Sequence, residues 1–247
     1  MSEKDTICVA GYRLSMECPN LNNVDSRCAV NTINAHSWVM ADKDAQFRKA
    51  LADSDVLLPD GEGIVFAARV LAGAKIKKIA GADLHCHLLE QLNESGGKCF
   101  YLGSSPSTLG RITDKVHAYY PNIAIDVFSP PFVREFSAED NERMTDAVNS
   151  FAPDVLFVGM TAPKQEKWVA ANRDKINARM ICSIGAVFDF YAGTKKRPPQ
   201  WMIDMKLEWF GRLIFDTKHY WRRAFFSIPA FMWNLVKLKV AGKRKVS

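Results

Sequence analysis

The chain has 247 residues, 48% hydrophobic and 24% charged, enough for one sizeable core and too apolar for disorder outside the two ends. Its net charge of +6 is uneven: from Lys195 onward 13 Lys and Arg stand against 3 Asp and Glu, a local +10, so the remainder carries −4. A basic tail on a mildly acidic body asks for an anionic partner, whether phospholipid, diphosphate or nucleic acid.

The chain opens on a polar stretch of mixed charge with no apolar run behind it, which reads as no secretory leader. Cysteines at 8, 18, 28, 86, 99 and 182 form no CxxC pair and read as thiols of a reducing compartment. His85-Cys86-His87 lacks a second ligand pair at metal spacing, so no metal is expected. An apolar stretch at Cys28 to Val30 precedes the polar Thr32-Ile33-Asn34. Val56 to Leu58 reads as a strand and Ile64 to Leu71 as a helix. Cys99 to Leu102 is a strand ended by Gly103-Ser104-Ser105-Pro106, with a helix from Ser107 to Tyr119. Ile123 to Phe128 is a strand, and Ser137 with Asp140 makes a capping box for a helix to Phe151. Val155 to Val158 is a strand, Gln165 to Asn172 a helix, and Met180 to Cys182 a last strand closed by Gly185.

Strands alternating with helices predict an α/β, Rossmann-like fold: a mainly parallel sheet flanked by helices. Ligands of such sheets bind beyond the carboxyl ends of the strands. Pro198-Pro199 divides the chain into a catalytic body, residues 1–195, and an appendage, residues 196–247. Four of the six tryptophans lie past residue 200, among many Lys and Arg. The apolar run from Ala224 to Val236 is too short for a bilayer span, which needs about 20 residues. It is expected to be a basic helix lying in the membrane interface, the alternative being a helical pair packed on the core.

Four constellations carry candidate chemistry. Asp60, in Leu58-Pro59-Asp60-Gly61-Glu62-Gly63, is placed as a general base at a strand end; the competing reading is a turn or a helix cap. The run Gly159-Met160-Thr161-Ala162-Pro163-Lys164-Gln165 opens a helix whose N-terminal amides suit a phosphate or a sugar oxygen, with Pro163 in its first turn. It lacks a full GxGxxG, so a dinucleotide site is weakly supported. Thr32 and Asn34 offer polar groups for a sugar. Arg212, Arg222 and Arg223 offer guanidinium forks for a diphosphate. Nucleic acid is not an expected partner, since no helix-turn-helix, ribonucleoprotein or zinc-finger pattern is present.

Taken together, these segments resemble bacterial glycosyltransferase family 26. The matching blocks are Thr32-Ile-Asn34, Ala50 to Ile64, Ile79-Ala-Gly-Ala-Asp83-Leu84, Ala162-Pro-Lys-Gln-Glu-Lys-Trp168, Gly185-Ala-Val-Phe-Asp189-Phe190, Gly193 to Pro198, and Leu207 to Leu213 with Trp221-Arg-Arg223. They cover about residues 30 to 225, and the resemblance fades after Phe226. It implies a metal-independent, inverting transfer of a hexose (glucose, N-acetylmannosamine or its uronic acid) from a UDP-sugar to a polyprenyl-diphosphate saccharide. It also implies that no cofactor is needed and that transfer takes place at the cytoplasmic face of the bacterial inner membrane. Self-association has precedent in the family. Asp60 matches the proposed base; Thr32, Asn34 and Gln165 match polar residues lining the site; Arg212, Arg222 and Arg223 fall in an appendage that covers the diphosphate and meets the membrane. Lys78, Gly103, Gly159, Lys164 and Gly185 complete the expected substrate-binding set. Lys78 stands where the family usually has Arg, and Gly159-Met160-Thr161 is bulkier than the family's glycine-rich loop. The competing functions are a peripheral membrane scaffold and another nucleotide-sugar enzyme on the same fold.

Overall fold

The structure, a computed structural model, describes residues 6–24, 27–195 and 217–244. Strands β3 (Cys28–Ile33), β4 (Val56–Pro59), β5 (Lys98–Gly103), β6 (Ala124–Phe128), β7 (Val155–Gly159) and β8 (Met180–Ser183) form one six-stranded sheet in the order β4-β3-β8-β7-β5-β6. Every pairing in it is parallel. The central strands β7 and β8 are buried along their whole length, which is why they read as unbroken apolar runs rather than alternating ones. Strands β1 (Thr6–Val9) and β2 (Tyr12–Ser15) form a separate antiparallel hairpin.

Helices cover both faces. On one, α4 (Gly81–Ser95), α5 (Pro106–Tyr119) and α8 (Val187–Ala192) bring Leu84, Leu88, Leu92, Ile112, Val116 and Phe188 onto Tyr101, Phe157 and Cys182. On the other, α6 (Ala138–Phe151) and α7 (Lys164–Asn172) set Met144, Val148, Trp168 and Val169 on Phe100, Leu102, Leu156 and Val158. Around the β4 edge, α1 (Ala35–Ala41), α2 (Ala45–Ala52), α3 (Glu62–Ala72) and the hairpin enclose Ile33 and Leu57. Each strand and helix anticipated between Val56 and Cys182 is present within two residues, while the helix expected around Ala224 to Val236 is longer, running from Thr217 to Arg244. The Ser137 capping box is formed: Asp140 N–H donates to Ser137 Oγ, and Ser137 N–H to Asp140 Oδ2, each at 3.0 Å.

The C-terminal helix α9 (Thr217–Arg244) carries two apolar stripes. Phe231 and Leu235, one turn apart, are buried and complete the cluster around Trp38 and Ile64. Phe226, Trp233, Val236 and Val240, spaced by seven, three and four residues, point away from the body. Phe226 is 73% exposed and Trp233 60%. Among the described residues no helix is long and apolar enough to cross a membrane.

His85-Cys86-His87 is dispersed. His85 is buried, with Nε2 2.6 Å from the Tyr101 hydroxyl and its ring edge-on to Phe157 and Tyr191. Burial holds its pKa down at about 3. His87 instead meets Gln91, and Cys86 lies on the surface.

Candidate active site

A parallel sheet aims all its strand ends one way, so residues far apart in sequence meet along one edge. β3 and β4 run in register, with Thr32 opposite Leu58. One step on, Asp60 N–H donates to the Ile33 carbonyl at 2.9 Å, which prolongs the ladder and ties Asp60 to the Thr32–Asn34 segment. Ile79 N–H donates to the Pro59 carbonyl, also at 2.9 Å. The segment before α4 is thereby laid beside the end of β4, and Lys78 is drawn to Asp60's neighbourhood. Asp60, Thr32, Asn34 and Lys78 are all half-buried.

Local chemistry explains several of these positions. Gly61, not Asp60, is the N-cap of α3, with φ +101°. The N-cap position thus falls one residue after the aspartate. Asn34 is the N-cap of α1: its Oδ1 accepts from Ser37 N–H at 2.9 Å, leaving its amide group as the donor. In the Ala80-Gly-Ala-Asp83 block, Asp83 Oδ2 accepts from Ala80 N–H at 2.8 Å and caps α4. Thr32 lies inside β3, two residues past the apolar stretch Cys28 to Val30.

The second half of the edge is built by β5, β7 and β8. Gln165 stands in the first turn of α7 and is 5% exposed. Its Oε1 accepts from Met160 N–H at 3.2 Å, and its Nε2 donates to Glu166 Oε1 at 2.9 Å. Gly185 follows β8 with φ +53°; a Cβ there would stand 3.3 Å from Gln165 Oε1 and 3.4 Å from Nε2. Pro163 is the N-cap of α7, one place earlier than the first turn the sequence suggested.

Packing dictates two of the expected substrate-binding glycines. A Cβ on Gly159 would lie 2.4 Å from the Phe188 ring. Gly103, with φ +126°, faces Gly159 across the ladder, and a Cβ on it would lie 2.4 Å from the Gly159 carbonyl oxygen. Lys164 turns away from the row: its Nζ donates to the Val133 carbonyl at 2.5 Å and sits 3.5 Å from the Phe136 ring centroid. Desolvation lowers its pKa. It lines a groove of about 1100 Å³ along α6 and α7, shared with Arg134, Asn141, Lys167 and Trp168. Arg222 and Arg223 fall on the first turns of α9, and Arg212 lies outside the described residues.

Among the buried polar residues that sequence reasoning passed over are Asn31, Ser183 and Glu166. Glu166 had a legible signal, since it precedes Val169 by three on the inward row of α7, where a charge is unexpected. Among the described residues no group of three or more His, Cys, Asp or Glu is placed to hold a metal ion.

Comparison with known proteins gives this edge a context. Residues 16–245 match the model of the glycosyl transferase WecG/TagA/CpsF family. The chain belongs to that family. The match extends beyond residues 30 to 225 at both ends and runs through Phe226 over the whole of α9. As a WecG/TagA/CpsF glycosyltransferase, the chain has similarity to named transferases over most of its length. It is 31% identical over 208 residues to an N-acetylglucosaminyldiphosphoundecaprenol N-acetyl-beta-D-mannosaminyltransferase of Bacillus subtilis (strain 168), spanning 84% of this chain and 78% of the relative. Enzymes of the same name from Bacillus spizizenii and from Staphylococcus aureus (strain NCTC 8325 / PS 47) are each 27% identical, spanning 86% and 78% of this chain and 80% and 73% of their own.

Proposed function

We propose that this glycosyltransferase moves a hexose, of glucose, N-acetylmannosamine or N-acetylmannosaminuronic acid type, from a UDP-sugar to a polyprenyl-diphosphate-linked saccharide, inverting the anomeric centre without a metal. The observation that carries the reading is the pair of backbone hydrogen bonds from Asp60 to Ile33 and from Ile79 to Pro59. They gather a carboxylate, a hydroxyl residue, a carboxamide and a cation at the sheet edge of a glycosyltransferase. The relatives' names favour N-acetylmannosamine as the sugar and an undecaprenyl-diphosphate acceptor.

In this reading Asp60 takes the proton of the acceptor hydroxyl as its oxygen attacks the anomeric carbon from the face opposite UDP. The C–O bond to UDP breaks as the new one forms, and the electron pair leaves on the diphosphate. Lys78, the N-terminal amides of α7 and the appendage residues Arg212, Arg222 and Arg223 supply the positive field for that leaving group. Thr32, Asn34 and Gln165 orient sugar hydroxyls. Gly185 leaves room beside the Gln165 carboxamide, and Gly103 and Gly159 contribute backbone at the strand ends across which the nucleotide lies.

The outward stripe of α9 supports a membrane-surface role. Phe226, Trp233, Val236 and Val240 are exposed beside Lys237 and Lys239, a composition suited to the boundary between headgroups and acyl chains. Docked there, at the cytoplasmic face, the body meets a lipid-linked acceptor without spanning the bilayer. The test is sugar transfer to a synthetic polyprenyl-diphosphate saccharide from a panel of UDP-sugars with EDTA present. One productive donor supports the reading. Absence of both transfer and UDP binding removes it in favour of a membrane scaffold.

A further inference from the structure

Three buried oxygens on the α6–α7 side of the sheet have no hydrogen-bond partner among the described residues: Asn31 Oδ1, Ser183 Oγ and Glu166 Oε2. Ser183 is in register with Val158, which packs under α7, and Asn31 follows Val30, the partner of Cys182 next to Ser183. Glu166 is 3% exposed, and burial raises its pKa. A buried acid with half of its carboxyl unsatisfied is costly, so its retention calls for a reason. The side chain it hydrogen-bonds is its neighbour Gln165.

That contact settles how the Gln165 carboxamide is oriented. Met160 N–H can only donate, so the Gln165 atom facing it is Oε1. Nε2 then lies on the other side, and one of its two protons goes to Glu166 Oε1. The carboxamide is clamped at both ends, and one Nε2 proton remains. Gly185 lies against this same carboxamide, where any side chain would press on both Oε1 and Nε2.

We propose that Glu166 is a positioning residue for transfer, holding the Gln165 carboxamide so that its remaining N–H meets an oxygen of the bound sugar substrate above Gly185. This rests on the reading of Gln165 as a site residue. Glu166 itself touches no substrate and acts only through its neighbour. Misplacing a substrate-orienting group by about an ångström costs up to ~100-fold in rate.

The test is a double-mutant cycle on the full chain, read as kcat/KM for transfer at saturating acceptor, with thermal unfolding as a check on folding. Glu166→Asp withdraws the oxygen by one methylene without adding bulk and is expected to lower kcat/KM roughly 10- to 100-fold. Glu166→Gln keeps an oxygen in the same place and is expected to stay within about threefold of wild type. In a Gln165→Ala background, Glu166→Asp is expected to cost less than about twofold, because the group it positions is gone. An equal loss from Glu166→Asp in both backgrounds overturns the proposal, as does a Glu166→Gln loss matching that of Glu166→Asp. Wild-type activity in Gln165→Ala alone would instead overturn the assignment of Gln165 to the site.

Discussion

Phe231 of α9 lies directly against Gly63 of α3: a Cβ at Gly63 would stand 3.4 Å from the Phe231 ring and 3.2 Å from the Ala35 Cβ. Gly63 is three residues from Asp60, and Ala35 follows Asn34. The helix proposed to meet the membrane is therefore seated on the first turns of the two helices that leave the candidate active site. Trp38 extends the seat, edge-on to Phe231 with ring centroids 5.6 Å apart.

The two stripes of α9 are expected to separate under mutation. Phe231→Ala should destabilise the seated helix by about 3–5 kcal/mol, as for a buried ring lost from a core. Thermal unfolding and amide exchange along α9 measure this. Replacing the exposed Phe226 and Trp233 with serine should leave stability within about 0.5 kcal/mol and weaken flotation with anionic liposomes. Unchanged flotation would place the membrane contact elsewhere.

Gly159 and Gly103 should prove structural before they prove anything else. Gly159→Ala drives a Cβ into the Phe188 ring and should cost about 1–3 kcal/mol in thermal stability. Gly103→Ala should cost at least as much, since its obstacle is the backbone carbonyl of Gly159 and its φ is positive. A near-neutral Gly159→Ala would show that the Phe188 ring shifts freely.

Five of the six strands of the sheet were legible as short runs rich in apolar residues, β3 being noted only as an apolar stretch at Cys28 to Val30, and the capping box because Ser137 and Asp140 stand three apart. The hairpin of β1 and β2 was not. Its turn residues Ala10 and Gly11 both have positive φ, yet alanine stands where Asn or Asp would have announced such a turn. α4 escaped because its buried residues Leu84, His85, Leu88, Leu89 and Leu92 include a histidine that pattern reading counts as polar. At the site, Asp60 was reached from its place at a strand end and Gln165 through the family motif. Glu166 was quoted in the same motif but overlooked, although its place three residues before Val169 sets it on the inward row of α7. What no one-dimensional reading supplies is the cross-strand link from Ile33 to Asp60, which makes neighbours of residues 27 apart.

His85 gives the fold an acid-sensitive point. Its folded pKa of about 3 lies below the ordinary histidine value, so the unfolded chain binds its proton more readily. The stability this group provides is present above pH 6.5 and is lost as pH falls from 6.5 toward 3. Between pH 7 and pH 5 it should amount to about 2 kcal/mol. Denaturant unfolding of wild type and His85→Phe at the two pH values isolates it: the wild type should lose about that much more than the variant. Equal losses would remove His85 from that role.

Glu166 should act in the opposite sense. Its raised pKa means that the folded state keeps the proton longer, so stability falls as pH rises from the ordinary carboxylate value through the raised one. Glu166→Gln has no such proton to lose and should flatten that part of the profile.

Transfer by Asp60→Asn bears most directly on the proposed chemistry. Wild type and variant would be given the productive UDP-sugar and a polyprenyl-diphosphate saccharide, with UDP affinity measured in parallel. Loss of the general base should lower turnover by about 10²- to 10⁴-fold while UDP still binds. Near-wild-type turnover by Asp60→Asn would contradict the assignment of Asp60 as the base.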